Sequence, residues 1–394
     1  MTVPAARPLD VFLIAGEESG DILGAGLMRS LDGQWSGSLS FRGVGGHRMV
    51  GEGLTSLYPM DDLTAMGFGA VLAKLPTFLK RMKETVEAIV ANPPDILVLV
   101  DAQDFNRRVA GRVRKRLPHL PIVKYVAPTV WAWRPGRAWK MYGIIDHVLA
   151  LLPFEPAVMR RLGGPATTYV GHPLLGEIPD LQPSGADLAV RNGKPPKLLV
   201  LPGSRRMELR RLSGPFGAAL GLLKARGIDF DLVLPTLPRL EEAVREATRG
   251  WPVRPEIVTG EAAKLTAFRQ ARAALAASGT VTLELALAGV PLVAGYRVSD
   301  WEARIAKYVI VGRFATLPNI VLDGPYVPEL IQHDCTPEKL ADALAPLIAE
   351  GAARQAQLDG FARLDALMST GGVPPSDRAA ATVLAVLEAA RAGS

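Results

Sequence analysis

Short, nearly unbroken apolar runs alternate along the chain with longer segments of mixed polarity. Val11–Ala15, Asp95-Ile-Leu-Val-Leu-Val100, Ile122–Val126 and Val148–Leu152 are the first such runs, and Asp21–Leu31 is the first intervening stretch with helical spacing. Strands apolar on both faces, set between amphipathic helices, predict parallel sheets covered on both sides. The alternation breaks after Gly171-His172-Pro173. From Ile178 to Pro196 the chain is rich in Pro, Gly, Ser and Asp without sustained periodicity, which reads as a linker or hinge. A second series follows with Leu198–Leu201, Asp231-Leu-Val-Leu-Pro235, Ala273–Ala277 and Pro291–Gly295. From about Thr336 the pattern is almost wholly helical, interrupted by Gly371-Gly-Val-Pro-Pro375. The expected fold is α/β, with two Rossmann-like doubly wound domains facing each other across a cleft and a helical C-terminal segment. The expected boundaries are 1–175 and 197–345 for the domains, 176–196 for the linker and 346–394 for the terminal helices.

Composition agrees with this picture and narrows the partners. A chain of 394 residues exceeds one ordinary core, and 48% hydrophobic with 21% charged residues excludes low-complexity disorder. The lone Cys335 excludes a disulfide framework and fits a reducing cytosol. The first apolar run is short, follows Asp10 and ends in a glycine turn, so it does not read as a secretory signal. No window approaches the ~18 apolar residues of a spanning helix, so the protein is expected to be soluble or to lie on a surface. A net charge of +6 suits anionic partners. Nucleic acid is the weakest of these, because the basic residues are dispersed and Trp131, Trp133 and Trp139 cluster locally.

In the second half, Lys197-Leu-Leu-Val-Leu-Pro-Gly-Ser-Arg-Arg-Met-Glu208 runs from a strand into a turn where a helix should begin. Gly203 allows close backbone approach, the helix start offers N–H groups to an anion, and Arg205 adds a forked charge suited to phosphate. An ordinary βα turn with surface arginines reads equally well. Ser278, Gly279 and Thr280 form a similar strand-to-helix turn and could cap the helix or present N–H groups to phosphate. Glu284 follows, with Val281 rather than Ser or Thr three residues before it, so no capping box consumes it. It could favour the helix dipole or accept hydrogen bonds from the two hydroxyls of a ribose.

In the first half, Gly16-Glu17-Glu18-Ser19-Gly20-Asp21 follows the first strand, a tight loop that either faces a polar ligand or uses Ser19 as a cap. Asp101 ends the most apolar strand of this half, where a doubly wound sheet places its ligands, and could serve as a general base. Asp104 is the rival, although it could simply cap the following helix. Met66–Lys83 carries Leu72, Leu75, Phe78, Leu79 and Met82 on one helical face, beside Lys74, Lys80, Arg81 and Lys83. Such a helix either lies in an anionic membrane interface or packs on the core, and Pro76 argues for an irregular start.

Other chemistries fail at the motif level. GxxxxGK[ST] is absent, and Gly24-Ala-Gly26 and Gly43-Val-Gly-Gly46 lack the full dinucleotide spacing. The histidines make no metal pattern, His172 is expected to serve nearby backbone groups, with a ligand contact as the alternative, and neither Ser204 nor Ser278 lies in GxSxG. Asp229-Phe-Asp231 has DxD spacing but opens a strand, so no metal site is expected.

Taken together, these segments resemble the lipid-A-disaccharide synthase family. The matching pieces are Ala15-Gly-Glu-Glu-Ser-Gly-Asp21, Gly43-Val-Gly-Gly46, Met66-Gly67, Asp101-Ala-Gln-Asp-Phe-Asn106 and Tyr125-Val-Ala-Pro-Thr-Val-Trp-Ala-Trp-Arg134. They continue with Gly171-His-Pro173, Leu201-Pro-Gly-Ser-Arg205 with Glu208, Ala277-Ser-Gly-Thr280 with Thr282-Leu-Glu284, and Leu317-Pro-Asn319. Gln103 stands where the family commonly has proline and Glu18 where it has alanine; both changes spare the candidate catalytic groups.

The resemblance implies a GT-B glycosyltransferase without cofactor or catalytic metal. It would transfer 2,3-diacylglucosamine, with inversion, from its UDP derivative to 2,3-diacylglucosamine 1-phosphate, giving a β-1,6 disaccharide and UDP. It implies a cytoplasmic protein peripherally associated with the anionic inner-membrane surface of a Gram-negative cell, and is compatible with a homo-oligomer. On it, Asp101 is the base and Arg205, with the helix starts after Gly203 and Gly279, stabilises departing UDP. Ser204, Glu208, Ser278, Thr280, Glu284 and Asn319 complete the donor side, with Glu284 on the ribose and Asn319 orienting donor groups. Gly16, Ser19, Met66 and Phe78 lie on the acceptor and lipid side. A UDP-sugar epimerase of the same fold and a non-catalytic nucleotide-sugar or membrane-binding protein are the rival readings.

Overall fold

The computed structural model describes residues 8–63, 68–299, 301, 304 and 312–392, and of 68–74 the backbone only. The chain divides into two compact units, 1–175 with 370–394, and 176–369.

The first unit is built on a parallel sheet of β1 (Leu9–Ile14), β2 (Leu39–Val44), β3 (Thr55–Ser56), β4 (Ile96–Val100), β5 (Ile122–Tyr125), β6 (His147–Ala150) and β7 (Ala166–Tyr169). Their order across the sheet is β3-β2-β1-β4-β5-β6-β7. Side chains alternate along each strand, so two cores form. Phe12 and Ile14 join Leu97 and Leu99 under the helices Phe68–Ala91 and Gln103–Arg116. Leu9, Val11 and Leu13 join Ile96, Val98 and Val100 on the other face. That face is covered by helix Glu18–Gln34 and by the last helix, Pro375–Ala392, whose Ala379, Ala380, Val383 and Leu387 are buried there. Ser30 donates to Asp377 at 2.7 Å across this packing. The last helix thus belongs to the first unit, far from its neighbours in sequence.

Helix Phe68–Ala91 runs through Pro76 rather than breaking at it. Proline removes one helical N–H, and packing of Met82, Val86 and Ile89 into the core outweighs that loss. The apolar face expected there divides: Met82 is buried and Phe78 packs edge-on against Phe105 at 5.2 Å, whereas Leu75 and Leu79 are exposed.

The second unit carries a parallel sheet of β8 (Lys197–Leu201), β9 (Asp231–Thr236), β10 (Glu256–Thr259), β11 (Ala273–Ala277), β12 (Leu292–Tyr296) and β13 (Glu329–Ile331). Its order is β10-β9-β8-β11-β12-β13. Leu198, Val200 and Leu275 pack against Leu209, Leu212 and Phe216 of helix Arg206–Ala225 and against Leu340 and Leu344 of helix Pro337–Ile348.

The segment expected as a linker contains the short helices Ile178–Leu181 and Gly185–Arg191, the second capped by Ser184, which accepts from the Asp187 N–H. Arg191 is buried and donates to the carbonyls of Phe268, Arg269, Ala288 and Gly289 at 2.9–3.2 Å. These carbonyls end the helices Glu261–Gln270 and Thr280–Leu287, so one guanidinium satisfies two helix C-termini. Local periodicity carried no trace of this tertiary anchor.

Candidate active site

Each sheet reverses its strand order once, and ligands of doubly wound sheets bind at the carboxyl ends of the strands flanking that point. In the second unit the flanking strands are β8 and β11. The turns that follow them open on a cavity of about 550 Å³ lined by Gly203, Ser204, Arg205, Glu208, Ser278, Gly279, Thr280 and Glu284. Eight residues picked from two separate segments thus share one cavity, with Tyr296 and the β9 turn Pro235–Pro238 as further walls.

Gly203 has φ +120°, and a Cβ there would lie 2.5 Å from both Cβ and Oε2 of Glu208. The close approach serves Glu208 itself. Its Oε2 accepts from the N–H groups of Ser204 at 3.0 Å and Arg205 at 3.3 Å, and its Oε1 accepts from Arg205 Nη1 at 3.1 Å. The turn's anion-binding donors are therefore occupied by a carboxylate from the same helix. Arg205 remains largely exposed at the rim.

Ser278 and Thr280 do not cap helix Thr280–Leu287. Its N-cap is Gly279, without a side-chain cap, and the Ser278 hydroxyl donates to the Ala315 carbonyl at 2.8 Å. Glu284 meets Lys264, whose Nζ is 2.5 Å from its Oε2. Lys264 escaped the sequence reading, although its place one turn after Gly260, beside β10, was a usable signal. The charges of Glu284 and Glu261 and their hydrogen bonds outweigh burial and raise its pKa.

Asn319 does not line this cavity. Its amide is buried, donating to Val327 O at 2.8 Å and Glu329 Oε1 at 2.9 Å and accepting from the Val327 N–H at 2.8 Å. Glu329 in turn accepts from the N–H groups of Ala315 and Thr316. Asn319 thus reaches the Ser278 turn through Glu329 and Ala315.

In the first unit the flanking strands are β1 and β4, and the turns after them meet. A Cβ on Gly16 would lie 2.8 Å from Cβ of Ala102, so only glycine permits the approach. Ser19 lies within the first turn of its helix, not at the cap, and donates to Asp101 Oδ2 at 3.2 Å. Asp101 and Ala102 both adopt left-handed backbone, φ 47° and 38°, a conformation costing about 1–2 kcal/mol for each non-glycine residue. Asn106 Nδ2 reaches the carbonyls of Val100 at 3.1 Å and Asp101 at 3.0 Å, and Lys124 Nζ donates to the Asp101 carbonyl at 2.9 Å. Asp104 is not the helix cap, which falls at Ala102; it lies in the first turn, exposed, with Arg137 at 3.4 Å. Met66 lies outside the described residues.

Other motif residues hold the frame. Buried Asp21 accepts from the N–H groups of Gly46, Arg48 and Met49 at 2.8–3.1 Å. Trp131 donates to the buried Glu155, and the guanidiniums of Arg134 and Arg137 lie over the Trp133 ring at 4.2 and 4.9 Å. His172 Nδ1 accepts from the Leu174 N–H at 3.2 Å, the expected backbone role, and burial lowers its pKa to about 4. Asp229, of the DxD spacing, is paired with Lys224.

Two parallel doubly wound units, one with a strand-end cavity bearing an arginine, a lysine and a helix N-terminus, place the chain in the GT-B fold class. Solved structures of similar fold include MurG from Acinetobacter baumannii (TM-score 0.56, 15% identity, 98% of this chain and 100% of that one). They also include a calicheamicin glycosyltransferase (0.58, 17%, 98% and 99%) and, from Neisseria meningitidis, a UDP-GlcNAc 2-epimerase bound to UDP-GlcNAc (0.60, 11%, 96% and 99%). The chain belongs to the lipid-A-disaccharide synthetase family, whose profile matches residues 11–372. Lipid-A-disaccharide synthases of Rhodopseudomonas palustris and Bradyrhizobium diazoefficiens are 53% and 52% identical to it over 381 residues, 97% of each chain.

Proposed function

We propose that this chain carries out the reaction for which its family is named. It would transfer 2,3-diacylglucosamine, with inversion, from UDP to the 6-hydroxyl of 2,3-diacylglucosamine 1-phosphate. The observation that carries this reading is the convergence of Arg205, Glu284 and the start of helix Thr280–Leu287 on one strand-end cavity.

On this reading Glu284 holds the ribose and the first-turn N–H groups of Gly279 and Thr280 hold the diphosphate. Arg205 swings from Glu208 to the leaving phosphate and stabilises its charge without a metal. Lys264 releases Glu284 and adds a second cation. Asn319 acts at one remove, fixing the Ser278 turn through Glu329. At the other switch point Asp101 takes the hydroxyl proton, oriented by Ser19, while Asp104 is engaged by Arg137. Gly16 keeps the two turns close enough for acceptor and base to meet.

Among the described residues no helix is long and apolar enough to cross a membrane. Exposed Leu75 and Leu79 beside Lys80 and Lys83 support peripheral attachment of helix Phe68–Ala91 to an anionic membrane. The acyl chains of the substrates would enter along the same helix, past Phe78.

The test supplies both diacylated substrates with a chelator and looks for disaccharide and UDP. Disaccharide that survives chelation is the expected result. Absence of disaccharide overturns the reading, a need for added Mg²⁺ overturns the metal-free step, and an altered sugar formed without acceptor favours the epimerase.

A further inference from the structure

Lys124 stands at the middle of β5, a buried strand otherwise of Ile, Val and Tyr. Its neighbours in the sheet are Leu99 on β4 and Val148 on β6, and only 3% of its surface is exposed. Burying an ammonium costs several kcal/mol unless partners offset it, so a leucine here would pack at less cost. The partner is the Asp101 main-chain carbonyl, 2.9 Å from Nζ. The same carbonyl accepts from Asn106 Nδ2 at 3.0 Å, so both its lone pairs are engaged. This is the carbonyl between two consecutive left-handed residues, where the backbone is strained and would otherwise relax.

We propose that Lys124 is a positioning residue for Asp101: its ammonium clamps the Asp101 carbonyl and so fixes where the Asp101 carboxylate points. The inference rests on Asp101 being the base. Asn106 is the fixed jaw of the clamp, donating also to the Val100 carbonyl. Lys124 is the charged jaw, and a charge-assisted bond is roughly twice as strong as a neutral one. Ser19 donates to the carboxylate itself, at Oδ2, 3.2 Å away. Lys124 itself is almost wholly withdrawn from solvent, beside a small cavity of about 10 Å³ lined in part by Leu99, Met141 and Ile145. The charged groups facing this pocket are Asp104 and Arg107 from helix Gln103–Arg116 and Arg137 from the turn below Trp133. Burial lowers the Lys124 pKa to about 8, against the opposing pull of Asp101. The clamp therefore loses its charge as pH rises through that value.

The test measures disaccharide formation and UDP binding for the wild type, K124M, K124Q and D101N between pH 6.5 and 9.5. K124M should lose about tenfold or more in kcat with both KM values and UDP affinity within about twofold, the signature of a group felt only in the transition state. K124Q, which can still donate to the carbonyl, should recover part of that loss. Wild-type kcat should fall above about pH 8, and K124M should lack this fall. A K124M kcat within about twofold of wild type, or a K124M profile that keeps the basic fall, overturns the inference. Should K124M not fold, a flat wild-type profile or full activity in K124Q overturns it. Turnover retained in D101N removes the base reading itself, whereas inactive D101N beside unaffected K124M removes only the clamp.

Discussion

At the scale of single residues, charge and burial set the expectations. Arg205 is a largely exposed cation of the strand-end cavity and pairs with Glu208, three residues on. R205A should lower kcat/KM for the donor about 10²–10³-fold, the usual loss for one transition-state donor. R205K should recover little of it, because a point charge lacks the planar fork. Steady-state kinetics with varied donor checks this, and an R205A enzyme at wild-type rates removes Arg205 from the leaving-group role. Glu155 tests a different aspect. Burial raises its pKa to about 7, opposed by N–H groups of Leu152, Trp131 and Leu151. A carboxyl whose folded pKa exceeds its unfolded value contributes stability below the unfolded value, near 4.5, and loses it as pH rises toward 7. Wild-type stability should therefore decline across that window more steeply than that of E155Q. Urea unfolding at intervals of pH measures the difference, and parallel curves would refute it.

At the scale of elements, the turns and helix ends govern. Gly203 combines φ +120° with the Glu208 side chain at 2.5 Å from any added Cβ. G203A should cost about 1–3 kcal/mol in stability and weaken UDP binding, since the turn must move to admit a methyl group. Isothermal titration with UDP alongside urea unfolding separates the two effects. Arg191 ends two cavity helices at once, so R191M should destabilise the second unit by about 2–4 kcal/mol by leaving buried carbonyls without donors. An unchanged unfolding midpoint would show that water replaces it freely. Both residues were read without their partners: Gly203 appeared in the sequence as a ligand-facing glycine, and Arg191 as part of a linker. The turn's position was legible because strand and turn are local; what the glycine makes room for was not.

At the scale of the whole molecule, the chain returns to its beginning. Helix Pro375–Ala392 buries Ala379, Ala380, Val383 and Leu387 in the first unit, against helix Glu18–Gln34 and β6. Ending the chain after Ser369 would uncover that apolar surface, at about 1.5–3 kcal/mol for each large side chain. The truncated protein should lose the cooperative unfolding of the first unit while the second still binds UDP. Differential scanning calorimetry with and without UDP tests this, and a truncated protein with both transitions intact would contradict it. The periodicity of the last segment showed a helix with an apolar face, yet no local signal named the sheet that would receive it.

The sequence by itself determined the parallel α/β class, the apolar strands β1, β4, β5, β6, β8, β9, β11 and β12, and the turns after β1, β4, β8 and β11, because apolar runs, helical spacing and glycine turns act over a few residues; β2, β3, β7, β10 and β13, short or more polar, carried no such run. It also placed Arg205 with Glu284, since the ends of neighbouring parallel strands share one edge. Tertiary structure alone decided that Glu208 fills the donors beside Gly203, that Lys264 meets Glu284, and that Asn319 works through Glu329. It alone placed a lysine at the Asp101 carbonyl. Such choices depend on which polar groups burial leaves in need of a partner, and that is settled only when distant segments have packed.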